Sequence, residues 1–280
     1  MKKAMIAGIV IFIGFFLAAT LVWFVHDKDE FKKLKYDKAY NHMKMTNLNV
    51  ESYNSEVTIK QGNHCGVKYY GDNDVKVYHT NDTLNVKEHR SNKRGYSINI
   101  NPFNQSKSKI EITIPNKNIN NLDIHSNFEN IILDGINIKN GLIYQGTKHL
   151  KVNNSKLNNL IFKSDSGSVN IKNSEIHNSK FKTQLGAIKV NKTILQNALF
   201  VTEEGHLNFT DMYSETDVRG SSKHDSIYLD YKDKPKNTLL KLHPGTGEAK
   251  VENKAFNNGK VGNSDNVVEF YTVKKDIKIK

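Results

Sequence analysis

The chain has 280 residues, enough for one large core or two small ones. Its 41 Lys and Arg outweigh 29 Asp and Glu, a formal charge of +12, and 37% of its residues are hydrophobic. The single cysteine, Cys65, excludes an intramolecular disulfide and a cysteine-based zinc site, and the composition excludes a collagen and a coiled coil.

Residues 4–25 read AMIAGIVIFIGFFLAATLVWFV, 22 residues without a charge. About 20 apolar residues cross a bilayer core as a helix. Lys2 and Lys3 precede the run, and Trp23 stands near its far end, where an aromatic belt belongs. A cleavable signal peptide has a shorter apolar region, about 7–15 residues, and a small-x-small site. Here Leu17-Ala18-Ala19 runs into bulky Leu21, Val22, Trp23 and Phe24. The reading is an uncleaved signal anchor with its N-terminus inside. Residues 1–3 form a cytoplasmic tip, 4–25 the anchor, 26–44 a juxtamembrane linker and 45–280 an extracellular domain. Lys2 and Lys3 are the only charges before residue 26, so the exported part keeps +10. Lys32, Lys33, Lys35 and Lys38 form a basic stretch beside the membrane.

Residues 35–102 have strand-turn texture, as in Val57-Thr58-Ile59, Val67-Lys68-Tyr69-Tyr70, Val75-Lys76-Val77-Tyr78 and Leu84-Asn85-Val86. They are expected to be the irregular first rungs of a solenoid. From about 103 to 216 the chain repeats every 19 residues. Asn121, Asn140, Asn159, Asn178 and Asn197 form one column, which Thr216 continues. Apolar columns keep step: Ile112, Ile131, Leu150, Val169, Ile188, Leu207; Ile119, Ile138, Leu157, Ile176, Leu195, then Ser214; Ile124, Ile143, Phe162, Phe181, Phe200, then Arg219. Residues two apart, such as Val169 and Ile171, alternate with polar ones as strands do. Each unit is therefore three short strands joined by polar corners, with Gly167, Gly186 and Gly205 at one corner. Such a unit cannot bury its own apolar side chains, but a parallel stack can. The fold class is all-β: a single-stranded β-solenoid, expected as a right-handed parallel β-helix of 19-residue rungs, preceded by one transmembrane helix. The Asn column is a structural corner ladder. Residues 217–280 read as the C-terminal cap, with Lys274, Lys275, Lys278 and Lys280 protecting the last edge.

The segments SYNSEVTIKQGNHCGVKYYGDND (52–74), KIEITIPNKNINNLDI (109–124), SDSGSVNIKNS (164–174) and VVEFYTVKKDIKIK (267–280) resemble the LiaG/YvlB-like bacterial "putative adhesin" domain family of Gram-positive envelope proteins. The resemblance covers roughly residues 45–280. It implies an exported β-helical domain tied to envelope stress or surface adhesion, and it carries no catalytic residues. This copy is richer in Asn and Lys than the Gly/Asp-rich family pattern.

No constellation in the sequence points to catalysis, a cofactor or a metal. His224-Asp225-Ser226 are consecutive and point apart, so they cannot form a relay. Asp165 and Glu203-Glu204 are read as sitting at one corner of two adjoining rungs, but no carboxylate ladder continues them. His64-Cys65 lacks further ligands, and His243-Pro244-Gly245-Thr246-Gly247-Glu248 reads as a turn. Outward lysines at Lys151, Lys163, Lys172, Lys182 and Lys189 are expected to form a long basic flank that contacts an anionic polymer. The sequence thus predicts a non-enzymatic cell-surface solenoid whose partners are membrane lipid, an anionic cell-wall polymer or another envelope protein, and not nucleic acid. A regulatory partner in envelope-stress signalling is the alternative, and a carbohydrate-active β-helix enzyme the remote one.

Overall fold

The computed structural model describes residues 2–22, 25, 34–40, 44–71, 73–90, 108–115 and 117–280. Trp23, Lys32 and Lys33 lie outside these residues. Helix α1 (Lys2–Val22) carries no charge after Lys2 and Lys3; its stretch Met5–Val22 has mean hydropathy 2.7 and none of it is buried. By length and composition it is able to cross a membrane.

Among the described residues the named elements after α1 are all strands, joined by turns and short irregular segments. The central turns follow the 19-residue period. One turn consists of β13 (Glu175–His177), β14 (Lys180–Leu185) and β15 (Ile188–Asn191), three strands on three faces. On the first face, β8 (Asn118–Ser126), the start of β10 (Asn137–Asn153), the start of β12 (Leu160–Lys172), β14 and β17 (Ala198–Glu204) pair in parallel, aligning Ile124, Ile143, Phe162, Phe181 and Phe200. On the second face β9 (Ile131–Asp134), the ends of β10 and β12, β15 and β18 (Leu207–Met212) align Ile131, Leu150, Val169, Ile188 and Leu207. The third face stacks short strands β11 (Lys156–Asn158), β13 and β16 (Ile194–Gln196). These columns are 0–1% exposed and make one continuous core, in which Phe181 and Phe200 stack at 5.1 Å. Each fully buried side chain of this size contributes roughly 1.5–3 kcal/mol.

Corners keep the rungs close. A Cβ on Gly186 would lie 2.5 Å from the Gly167 carbonyl oxygen below, and one on Gly205 2.3 Å from that of Gly186. Only glycine permits that approach. At another corner Gly135, Asn154, Asn173, Lys192 and Asp211 all take left-handed angles, φ 47–67°.

The period breaks after Phe209. Phe200 pairs with Gly220 and Leu207 with Ile227, a step of 20 residues taken up by a bulge between Phe209 and Met212. Ser214, Thr216 and Arg219 therefore do not continue their columns; Asp217 stands above Asn197, and Gly220 takes the core position. Leu207 and Phe270 fill the space beside Gly220, and the Phe270 ring stacks 5.5 Å from that of Phe209.

Stack order also departs from chain order at both ends. β2 (Asn47–Ser52) is inserted between β6 (Thr83–His89) and β8, and β3 (Ser55–Gln61) between β7 (Ser108–Ile114) and β9. At the other end β24 (Asn266–Thr272) lies between β19 (Val218–Ser222) and β21 (Thr238–His243), and β25 (Ile277–Ile279) between β20 (Ile227–Tyr231) and β22 (Ala249–Val251). Along the first face the order is β6–β2–β8–β10–β12–β14–β17–β19–β24–β21. The expected lysine cap at 274–280 is thus corrected: Ile277 and Ile279 are 0% exposed inside the stack, and β21–β22 form the last parallel rung, with β23 (Lys260–Val261) paired antiparallel on β21.

The first strands are not all rungs either. β4 (Gly66–Tyr70) pairs antiparallel with β7, β1 (Leu34–Ala39) antiparallel with β4, and β5 (Asp74–Thr80) antiparallel with β6. Two sheets therefore overhang the end, and Tyr40 meets His79 edge-on at 6.4 Å across the gap. Buried Glu88 locks this end. Its carboxylate accepts the backbone N–H groups of Tyr53, Asn54 and Ser55 at 2.9–3.2 Å, the Ser55 hydroxyl at 2.6 Å and the Asn73 amide at 2.8 Å.

Candidate functional site

A solenoid core leaves only outward positions free to vary, so a binding site belongs among them. The five corner asparagines stand one above another. The Asn121 amide donates to Asn47 Oδ1 at 2.7 Å, Asn140 to Asn121 and Asn159 to Asn140 at 3.3 Å each, and Asn197 to Asn178 at 2.8 Å. Asn47 joins from the inserted rung, outside the 19-residue phase. Asn159, Asn178 and Asn197 take φ near 48–50°, the left-handed region that Asn tolerates best among residues with a side chain.

The five lysines do not form one flank. Lys163 and Lys182 are on the first face, in direct register. Lys151, Lys172 and Lys189 are on the second face. Register then defines two blocks on neighbouring rungs. On the first face two adjacent outward columns carry Leu142 and Tyr144, Ile161 and Lys163, Lys180 and Lys182, Leu199 and Val201, and the next outward column on the same strands carries Asp165, Gln184 and Glu203. On the second the outward positions are Lys151 and Asn153, Asn170 and Lys172, Lys189 and Asn191, Asn208 and Thr210. Each block holds three lysines and no carboxylate of its own; Asp165 and Glu203 border the first, and Asp211, which accepts from the Asn191 amide at 2.8 Å, borders the second. The first is otherwise apolar, with Ile161 42% and Tyr144 37% exposed; the second is otherwise amide and hydroxyl.

Lysines nearer the ends behave differently. Lys87 meets Glu51 at 2.5 Å, Lys68 meets Asp37 at 3.0 Å, Lys109 meets Glu111 at 2.7 Å, and Lys278 meets Glu252 at 2.6 Å. These partners hold Glu111 and Glu252 below the usual carboxylate range, through the lysine hydrogen bond in each case. Lys156 does the same to Glu175 on the third face, at 2.8 Å.

Beside the first-face block lies a cleft of about 400 Å³, lined by His125, Tyr144, Lys163, Asp165, Lys182 and Gln184. The Tyr144 ring is already sandwiched: His125 packs at 5.1 Å, and the Lys163 ammonium lies 5.3 Å from the ring centre. The cleft therefore offers charge and amide but no open aromatic face. Gln184 is 19 residues after Asp165 and Glu203 is 38 after, so the two acids are two rungs apart, not adjoining as expected from sequence. Asp225 Oδ1 accepts from the Ser226 backbone N–H at 2.7 Å in a local turn. Cys65 is 1% exposed. Among the described residues no three His, Cys, Asp or Glu side chains converge as a metal site.

Sequence reasoning missed the apolar outward positions. Their signal was present, because Leu142, Ile161 and Leu199 each immediately precede a residue of the Ile143–Phe162–Phe200 core column, so alternation turns them outward.

Two solved structures align with 89% of this chain. One, from Clostridium sporogenes, is described as a "putative cell adhesion protein"; it is 12% identical, 99% of it is covered, and the TM-score is 0.27. The other, from Bacteroides fragilis, is described as a "putative adhesin"; it is 14% identical, 98% covered, with a TM-score of 0.46. A search of curated protein sequences finds no match. The model of the Toastrack DUF4097 family, in contrast, matches residues 45–280, the whole solenoid from β2 to β25, and this chain belongs to that family.

Proposed function

We propose that this chain is a non-enzymatic, membrane-anchored protein of the cell envelope, with α1 retained as the anchor and residues 45–280 outside. Its solenoid binds an anionic wall polymer through the second face. The observation that carries this reading is the block from Lys151 to Thr210, where lysines alternate with amides and no carboxylate intervenes. Lys151 and Lys189 stand two rungs apart, roughly 10 Å, on one column, and Lys172 is staggered between them on the next. A polymer running along the stack meets a cation on every rung of three, and amides able to donate to and accept from its hydroxyl groups. A flat repetitive face suits a repetitive ligand.

The test is sedimentation of the purified, detergent-solubilised chain with isolated Gram-positive cell walls across a salt series. Walls stripped of teichoic acid are the control. Binding should need the polymer, weaken as the Debye length contracts from about 10 Å at 0.1 M salt toward 3 Å at 1 M, and fall when Lys151, Lys172 and Lys189 are replaced by Gln. Absence of binding at low salt refutes the reading.

A further inference from the structure

We propose that the first-face block is a membrane-docking surface: it rests on anionic lipid head groups, so that the solenoid lies on its side along the bilayer that holds α1. This rests on α1 being kept as the anchor, and it assigns the face that the polymer reading leaves unused.

Composition favours this first. Eight outward positions on four consecutive rungs carry Leu142, Ile161, Leu199, Val201, Tyr144 and three lysines. Outward positions of an exported strand are ordinarily polar. Surfaces that lie in the head-group region combine aliphatic and aromatic side chains, which enter the acyl boundary, with lysines, which meet the phosphates. Lysine stems lie along apolar neighbours while their ammonium groups reach out; the Lys163 ammonium is held over Tyr144, 5.3 Å from the ring centre and donating to its hydroxyl at 3.3 Å. Lys163 and Lys182 stand in direct register, a mutual repulsion that anionic lipid relieves. Outside the block the pattern ends: Asp165 and Glu203 follow along the strands, Asp123 pairs with His125 on one side at 3.2 Å, and Arg219 with Glu269 on the other at 3.5 Å.

Reach favours it as well. Eleven residues separate Val22 at the end of α1 from Leu34 at the start of β1. Fully extended they span at most about 40 Å. The first rung of the block, β10, is reached from β1 through β4, β7, β3 and β9, five strand spacings or roughly 24 Å along the stack. The tether is long enough to lay the block on the membrane and short enough to keep it near, so docking is an intramolecular step at high effective concentration.

The rungs that carry this face also present the polymer-binding face. Ile161 and Asn170 belong to the same strand, β12, on the first and second faces. That pair makes the test internal. The full chain is reconstituted into phosphatidylcholine vesicles with about a third phosphatidylglycerol. An environment-sensitive dye is placed on Ile161→Cys, on Asn170→Cys or, inside α1, on Phe12→Cys, with buried Cys65 left in place. Quenching by a spin-labelled lipid is read. The expected result is quenching at Phe12 and Ile161 but not at Asn170, with the Ile161 signal lost at high salt and in wholly zwitterionic vesicles. Replacing Lys163, Lys180 and Lys182 by Gln should lower the docked-to-undocked ratio roughly a hundredfold, at about fivefold per lysine, while Phe12 stays quenched. Quenching at Phe12 with none at Ile161, or with equal quenching at Ile161 and Asn170, overturns the docking. Quenching at Ile161 that ignores salt and lipid charge overturns the head-group assignment. A Phe12 dye that is not quenched overturns the anchor on which the proposal stands. The wall-binding test with Lys151, Lys172 and Lys189 is untouched by the docking outcomes, so the two readings fail separately.

Discussion

Replacing Phe270 by Ala tests the interleaved end of the solenoid. Phe270 is ten residues from the chain terminus, yet it is 0% exposed, with its ring 5.5 Å from Phe209 and its strand paired on both sides, to β19 and to β21. A Phe-to-Ala change in a closed core costs about 3–5 kcal/mol, because the cavity adds to the lost transfer energy. Leu240 is nearer the middle of the sequence but sits on the outer rung at 9% exposure, where neighbours are free to collapse; Leu240→Ala should cost about 2 kcal/mol, the low end of its class. For a domain of this size 1 kcal/mol shifts Tm by about 2–4 °C. Thermal unfolding of the detergent-solubilised chain, followed by circular dichroism of the strands, should therefore drop by about 6–20 °C for Phe270→Ala and about 4–8 °C for Leu240→Ala. If Phe270→Ala proves as mild as Leu240→Ala, or milder, the C-terminal strand is a fraying edge and the interleaved stack order is wrong.

Gly186→Ala places a methyl 2.5 Å from the Gly167 carbonyl oxygen, backbone against backbone, and should lower stability by about 1–3 kcal/mol or more, measured by the same melt. Asn159→Ala removes the amide bond to Asn140 and strands a Cβ at φ 48°, for a loss of about 1–2 kcal/mol; Asn159→Gly should recover part of it, since glycine accepts that angle. Burial, together with the nearby Glu88 carboxylate, pushes the Tyr69 hydroxyl up from 10.0 to about 12. Because the folded value is the higher one, its stabilising contribution is complete below pH 10 and is lost as pH rises toward 12; the fall of Tm across that window should be shallower in Tyr69→Phe. On the acid side, Glu111 and Glu175 are held low by Lys109 and Lys156, so their contribution is present above the ordinary carboxylate range and fades as pH falls through the lowered folded values. Glu111→Gln should flatten the acid limb of the same Tm profile.

The middle of the fold was legible because one mechanism repeats there. Ile143, Phe162, Phe181 and Phe200 recur at a fixed spacing since each turn has the same three strands and corners. The ends obey no such spacing. β2 pairs with β6 at an offset of 36 residues and with β8 at 74, and β19 pairs with β24 at 50. These offsets count inserted strands and loops, so periodicity is blind to them. The 20-residue step has a local cause, the bulge at Asp211 with φ 53°, that a single residue of drift hides. The lysines were legible as outward residues, but their division between two faces depends on where corners fall between Lys163 and Lys172, within one strand.

That division bears directly on function. Exposed ion pairs contribute little stability, about 0–1 kcal/mol each, so folding alone gives no strong reason to pair lysines at the ends and on the third face, as Lys156 pairs with Glu175, while those of the two central blocks meet no carboxylate. A lysine surface kept only for solubility would mix both signs along its length, as around Lys87–Glu51 and Lys278–Glu252. Within the two central blocks the sixteen positions carry no carboxylate, with Asp165, Glu203 and Asp211 at their borders, while the remaining residues split into aliphatic or aromatic on one face and amide or hydroxyl on the other. Equal charge with opposite polarity, on rungs that share a core, separates the faces by what accompanies the charge. An anion presented by an apolar layer suits the first, and an anion presented by a hydroxylated chain suits the second. A rigid stack whose rungs are fixed at about 4.8 Å holds both faces in constant relation, so under the proposed anchoring by α1 and docking on the first face the second would turn toward the envelope beyond.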